Sequence, residues 1–191
     1  MRKRGFEIVS KYENAGLHLP QRQTPASAGY DFEAAEDIVI PSIWQFNFVR
    51  IFRLIRNFHE LNEHDYQVAE RVLKPFLVPT GIKCYMSDDE VLILANRSSN
   101  TYKRNVTLPN GIGVIDSDYY DNEKNEGEIY FQFINYGVRP LKIKKGERIG
   151  QGIFMPYLKA DNDNPIPRKR MGGFGSSGIR DEINGKDKDT L

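Results

Sequence analysis

A single cysteine, three histidines and one tryptophan stand in 191 residues. One thiol cannot close an internal disulfide, and no Cys/His cluster has the spacing of a structural zinc site. Cys84 lies in an apolar run and reads as a packed thiol. Charge of one sign is also missing, since 27 Lys plus Arg nearly cancel 26 Asp plus Glu, for a net +1. So balanced a chain carries no footprint for a long nucleic-acid duplex, although local basic patches can hold a small polyanion. No direct nucleic-acid binding is expected. No apolar run is long enough to span a bilayer, and no signal-peptide core follows the basic Met1-Arg2-Lys3-Arg4. The expectation is a soluble cytoplasmic chain without a membrane partner. No Gly-x-x-x-x-Gly-Lys-Ser/Thr occurs, which argues against a P-loop NTPase.

What is present is a series of short β-like runs separated by Gly, Pro, Asn and Asp. The pattern predicts strands over Phe6–Lys11, Ile38–Ile40, Gly81–Met86, Val91–Asn96, Ile112–Ile115, Glu128–Ile134, Leu141–Ile143 and Ile149–Pro156. Val78-Pro79-Thr80-Gly81 and Lys144-Lys145-Gly146-Glu147 read as turns between them. Many short strands with frequent turns argue for an all-β domain, a jelly roll or barrel. The exception is residues 42–75. Ser42 and Gln45 form a capping box, and Phe48, Ile51, Phe52, Ile55 and Phe58 recur at helical spacing. A second helix carries Tyr66, Ala69, Val72 and Leu73 and stops at Pro75. This helical hairpin either packs on the β domain or a neighbouring subunit, or offers a docking surface to a partner protein. Its His59 and His64 lack the carboxylates or cysteines that would complete a metal site. The division expected is a β domain over residues 1–178, with the insertion 42–75, and a disordered polar tail over 179–191.

Three stretches carry chemistry. In Gly111-Ile112-Gly113-Val114-Ile115-Asp116-Ser117-Asp118-Tyr119 an apolar run ends in a carboxylate. A period of two puts Asp116 on the face of Val114 and opposite Ile115. Such a carboxylate is either a turn cap or a tunable base. Gly172-Gly173-Phe174-Gly175-Ser176-Ser177-Gly178 brings four glycines and two hydroxyls together just after Arg168-Lys169-Arg170. That composition suits backbone capture of a phosphate with Phe174 stacking on a flat base; the alternative is a Gly/Ser linker. Arg97-Ser98-Ser99 follows a strand, where loops build sites, but Ser98 has no His/Asp partners in order for a hydrolase triad.

Together these pieces resemble the trimeric deoxyuridine triphosphatase (dUTPase) family, some members of which are carried by phages. Five family motifs occur in order: Ala28-Gly29-Tyr30-Asp31-Phe32, Arg97-Ser98-Ser99, Asn110 to Tyr119, Gly146-Glu147-Arg148-Ile149-Gly150-Gln151, and Arg170 with Gly172 to Gly178. The resemblance covers the chain except residues 42–75 and the last dozen. It implies a jelly-roll homotrimer whose three sites each draw on all three subunits. It also implies hydrolysis of dUTP to dUMP and pyrophosphate, which limits uracil entry into DNA and supplies dUMP for dTMP synthesis. dCTP deaminase shares the fold, but the Gly-Val-Ile-Asp-x-Asp-Tyr form of the third motif argues against it.

By the same resemblance Asp116 is the general base for water attack on the α-phosphorus, and Mg²⁺ is held by Asp31 through its waters. Ser98 donates to the phosphates, and Arg97, Ser99 and Gln151 position them. Asn110 and the backbone of Gly113 and Ile115 read the uracil edge, while Tyr119 stacks under deoxyribose and leaves no room for a 2′-hydroxyl. Phe174 closes over uracil, with Gly175, Ser176, Ser177 and Arg170 around the phosphates. Two departures stand out. Six residues, Asp121 to Glu126, are inserted before Gly127-Glu128, predicting a longer acidic tip on the hairpin. The γ-phosphate ligand could be Arg170, Lys169 or Arg168.

Overall fold

Leu92 and Leu94 alternate with Val91, Ile93 and Ala95, and a period of two sends both leucines into the core. Their strand, β6 (Glu90–Asn96), pairs antiparallel with β11 (Arg148–Pro156) on one side and with β8 (Gly113–Asp116) on the other. β11 in turn pairs with β2 (Tyr30–Glu33), giving the order β2-β11-β6-β8. Smaller antiparallel groups surround this sheet: β1 (Gly5–Ile8) with β5 (Ile82–Tyr85), and β3 (Ile38–Ile40) with β10 (Leu141–Ile143). In the third, β9 (Tyr130–Asn135) lies between β4 (Phe76–Pro79) and β7 (Val106–Thr107). One seven-residue helix, α1 (Ser98–Arg104), follows β6. The computed structural model describes residues 2–45, 56 and 74–165.

Phe32, Leu92, Phe131, Phe133 and Ile149 form one core with side chains from all four strand groups. Burying each such side chain contributes about 1.5–3 kcal/mol. Two glycines set how closely the layers meet. A Cβ on Gly150 would fall inside the Phe131 ring, and one on Gly152 would lie 2.7 Å from Phe32 Cε2. Gly-x-Gly in β11 therefore lets two aromatic rings lie against the strand, while Gln151 between them faces the other way. Cys84 is buried, and burial pushes its thiol up to about 12. The structure is β-rich, as expected, and no helix among the described residues is long and apolar enough to cross a membrane.

Several boundaries differ from the sequence reading. β1 stops at Ile8, short of Lys11, because the chain bends into a 3-10 turn over Ser10–Tyr12. That bend buries Val9 and Tyr12 with Ala35 in a separate small cluster. The turn expected at Val78–Gly81 is in part strand, since Val78 and Pro79 pair with Phe131 and Tyr130. Only Gly81, at φ +66°, keeps turn geometry there. β9 starts at Tyr130 rather than Glu128. β2 and the two-residue β7 were not expected from the sequence. α1 is built from Ser-Ser-Asn-Thr-Tyr-Lys-Arg, a run with little intrinsic helix preference. Tertiary bonds hold it: Asn100 is buried, and its Nδ2 donates to Asn96 Oδ1 at 2.8 Å and to the Ile149 carbonyl at 2.6 Å.

The helical hairpin over 42–75 lies almost wholly outside the described residues, as do Arg168–Gly178 and the tail 179–191. The entry to the insertion is described. Ser42 is fully buried, its hydroxyl donates to the Gly137 carbonyl, and it accepts from the Trp44 N–H at 3.1 Å in a 3-10 turn, Ile43–Gln45. Trp44 Nε1 donates to the Tyr136 carbonyl at 2.8 Å.

Candidate active site

Four of the five sequence motifs lie on or beside the sheet β2-β11-β6-β8, in two groups. At one end the register sets Gln151 of β11 opposite Asp31 of β2 and Ala95 of β6. The Asp31 side chain is 12% exposed, so its charge needs partners. Arg148 Nη1 donates to its Oδ2 at 3.1 Å, and Arg97 Nε lies 3.7 Å from its Oδ1. Arg97 also donates to the Arg148 carbonyl at 3.0 Å, tying the start of α1 to β11. Ser98, exposed, and Ser99, half-buried, open the first turn of α1 beside this cluster. Gly29 has no side chain because Gln151 occupies the space that its Cβ would need. Gln151 Nε2 reaches toward the Asn96 carbonyl at 3.5 Å.

At the other end stands β8, the edge strand of the sheet among the described residues. Its burial alternates: Ile115 packs against the core, while Val114, 51% exposed, and Asp116 face outward. As an edge, β8 keeps one row of backbone donors and acceptors outside the sheet. A 3-10 turn, Ser117–Tyr119, then carries the chain inward and buries Tyr119. Between β8 and β9 lies a cavity of about 160 Å³ whose walls include Asn110, Gly113, Ile115 and Tyr119. The remaining walls are Leu94, Leu108, Val114, Glu128, Tyr130, Phe131 and Gln132. The buried Glu128 carboxylate accepts from the Tyr130 hydroxyl at 2.5 Å and from the Gly81 N–H at 3.3 Å. Burial first, then the Glu128 bond, pushes the Tyr130 phenol above its ordinary range.

The insertion after Tyr119 does not project an acidic tip over the cavity. It closes on itself through Asp121 N–H to the Glu126 carbonyl, 3.1 Å, and Glu126 N–H to the Asn122 carbonyl, 2.9 Å. Asp121 and Glu126 turn to Lys83, and Glu126 also takes the backbone N–H and hydroxyl of Ser10. Burial alone would lower the Lys83 ammonium, but the bond to Asp121 and the charges of Asp121 and Glu126 outweigh it and raise it. The asparagines of the insertion turn the other way, toward Tyr119.

The structure thus brings Asp31, Arg97, Ser98, Ser99 and Gln151 together at one end, and Asn110, Gly113, Ile115, Asp116 and Tyr119 at the other. Arg170, Phe174, Gly175, Ser176 and Ser177 lie outside the described residues. The two ends are well separated within one chain. Asp116 pairs with Val91, six residues of strand before Arg97, or about 20 Å at a strand's rise. Two groups were missed in the sequence. Arg148 stands inside the fourth motif, three residues before Gln151, so its position was readable. Asn122 and Asn125 had only the weak signal of asparagines near a glycine turn.

A family model described as dUTPase matches residues 58–178. A deoxyuridine 5′-triphosphate nucleotidohydrolase of Lactococcus lactis is 43% identical over 179 residues, spanning 93% of this chain and 99% of that one. The crystal structure of a Streptococcus mutans dUTPase superposes with a TM-score of 0.64 at 37% identity, over 83% of this chain and 99% of that one. A dUTPase from phage phi11 of S. aureus, described with a structural Mg(II) ion, shares the fold at 13% identity and a TM-score of 0.57, over 86% of this chain and 97% of that one. With its motifs assembled on one sheet and its length shared with these relatives, the chain belongs to the dUTPase family.

Proposed function

We propose that this dUTPase hydrolyses dUTP to dUMP and pyrophosphate with Asp116 as general base, in sites shared between the chains of a homotrimer. The observation that carries the reading is the separation of about 20 Å between Asp116 and Arg97 on one sheet. A single triphosphate is too short to use both within one chain. It can use Asp116 and the β8 cavity of one chain with Asp31, Arg97, Ser98 and Gln151 of another. Residues 170–177 would come from the third.

In this reading uracil enters the cavity beside β8, where edge-strand amides and Asn110 face its polar edge and Tyr119 lies under deoxyribose. A site built to bond one pattern of donors and acceptors rejects cytosine by leaving buried groups unpaired. The Asp116 carboxylate takes a proton from a water as its oxygen bonds to the α-phosphorus, and the bond to the bridging oxygen breaks with its electron pair leaving on pyrophosphate. Ser98, Arg97, Ser99 and Gln151 meet the phosphates as charge moves onto the leaving group. Phe174 with Gly175, Ser176, Ser177 and Arg170 would close the site.

Magnesium fits the donor set in one way. Among the described residues no group of three His, Cys, Asp or Glu side chains could cage a metal. Asp31 offers a single hard carboxylate, which suits an ion that keeps its waters and is shared with substrate phosphates. When bound, Mg²⁺ supplies charge neutralisation across the triphosphate. The chain is best divided as one β domain over 1–178, with the insertion 42–75 and a polar tail, working in the cytoplasm.

The test is subunit mixing. Asp116→Asn and Ser98→Ala chains, each nearly inactive alone, are refolded together at equal amounts. Random trimers should recover turnover at about a quarter of their sites, because some sites then draw both intact residues from different chains. No recovery, with trimers confirmed by light scattering, would rule out sharing between chains.

A further inference from the structure

The insertion after Tyr119 grips that residue at both ends. Asn122 Nδ2 donates to the Tyr119 backbone carbonyl at 2.9 Å. Asn125 Nδ2 donates to the Tyr119 hydroxyl at 2.8 Å, and that hydroxyl in turn donates to the Glu128 carbonyl at 3.0 Å. The two asparagines also bond each other, Asn122 Nδ2 to Asn125 Oδ1 at 2.8 Å. Asn122 Oδ1 accepts from the backbone of Lys124 and Asn125, and Asn125 Oδ1 from Gly127. Asn122 is buried, so these bonds are made away from water, where an unmade one is costly. Gly127, at φ +81°, packs its backbone so tightly on Tyr119 that a Cβ would lie 2.5 Å from the Tyr119 carbonyl oxygen. On its outer side the loop is fixed by Asp121 and Glu126 to Lys83, and by Glu126 to Ser10. A six-residue addition is therefore built inward onto one side chain of the cavity wall.

We infer that Asn125 is a positioning residue for Tyr119 and, through its ring, a determinant of the preference for deoxyribose over ribose. The inference rests on the reading of Tyr119 as the sugar contact. The Tyr119 hydroxyl is held by two bonds, from the Asn125 amide and to the Glu128 carbonyl, and losing the first loosens the ring so that it can tilt and open space beside the sugar. Asn125 is not among the residues that line the cavity. Its effect passes through the Tyr119 hydroxyl, so it belongs to the ratio of dUTP to UTP turnover rather than to the chemical step.

The experiment compares kcat/KM for dUTP and UTP in the wild type, Asn125→Ala, Tyr119→Phe and the double variant, with thermal melts beside the kinetics. Asn125→Ala should lower the dUTP/UTP ratio about fivefold, the size of one hydrogen bond, with a smaller change in kcat for dUTP. Tyr119→Phe, which removes the bonds to both Asn125 and Glu128, should lower it at least as much. The double variant should fall no further than Tyr119→Phe, where the Asn125 bond is already lost. Should Asn125→Ala fail to fold, Tyr119→Phe still tests the tether without touching the loop. Asp121→Ala, on the outer side, should keep the ratio. The inference is overturned by an unchanged ratio in folded Asn125→Ala or in Tyr119→Phe, by additive losses in the double variant, or by an equal loss in Asp121→Ala. An unchanged ratio in Tyr119→Ala would instead remove Tyr119 as the sugar contact.

Discussion

Two aspartates of the same sheet live under opposite conditions. Asp31, on β2 at the opposite edge of the sheet from β8, is mostly covered and sits between two guanidiniums, with Arg148 at 3.1 Å and Arg97 at 3.7 Å. Asp116 closes the edge strand β8 on its outer face, beside the exposed Val114, which lines the cavity between β8 and β9. Two guanidiniums hold the Asp31 carboxylate in place. A carboxylate at an open edge can meet water and exchange a proton with it. In the proposed mechanism the two carboxylates take different tasks, and within one chain they stand on the two outer strands of the sheet.

The comparison breaks most sharply at Asp116. Asn in its place keeps size and hydrogen bonding but cannot take a proton, so kcat should fall about 10²- to 10⁴-fold. Binding of dUTP, followed by calorimetry, should stay close to wild type, and a near-normal rate would hand the base role to another group. At the other end, Arg148→Ala leaves Asp31 with the more distant Arg97 alone. We expect KM for dUTP to rise about tenfold with kcat changed less, as for the loss of a charge-assisted bond in a positioning cluster. If kcat fell as far as in Asp116→Asn, the two ends would not divide the work as described.

The smallest effect concerns the loop that joins the cavity to the body. The Ser10 hydroxyl, then the Ser10 N–H and Lys83, hold the Glu126 carboxyl below its ordinary value. A depressed carboxylate stabilises the fold above its unfolded pKa, and that stability is lost as pH falls through the lower folded value. Glu126→Gln should melt about 2 °C lower at pH 7, the scale of an exposed anchor. Below about pH 4 the difference should close as the native carboxyl itself protonates. A gap that persists at pH 3 would mean that the anchor does not depend on charge.

Much of this arrangement was legible beforehand, for identifiable reasons. β3 and β10 match their expected bounds, and β6 begins one residue early, because alternating apolar residues on half-buried strands leave a period of two in the chain. The facing of Val114, Ile115 and Asp116 followed from the same period. β2 was missed although its four residues, Tyr-Asp-Phe-Glu, alternate aromatic and acidic side chains. α1 was missed because bonds from Asn100 to β6 and β11, rather than its own composition, hold it. Among candidate site residues, those in motifs were readable by type and spacing, whereas Asn122 and Asn125 were not. The acidic composition of 121–126 suggested a solvated tip, and composition says nothing of which side chains turn inward.

Strand periodicity and motif spacing are local properties, so the β-rich class, the carriers of charge and the candidate groups could be read along the chain. Which of them meet is set by long-range pairing. Register along β11 set Gln151 beside Asp31, register along β6 parted Asp116 from Arg97, and the folding back of residues 121–126 set Asn125 on the Tyr119 hydroxyl. Each of these depends on backbone pairing between distant segments, where a slip of one residue would turn every side chain to the other face.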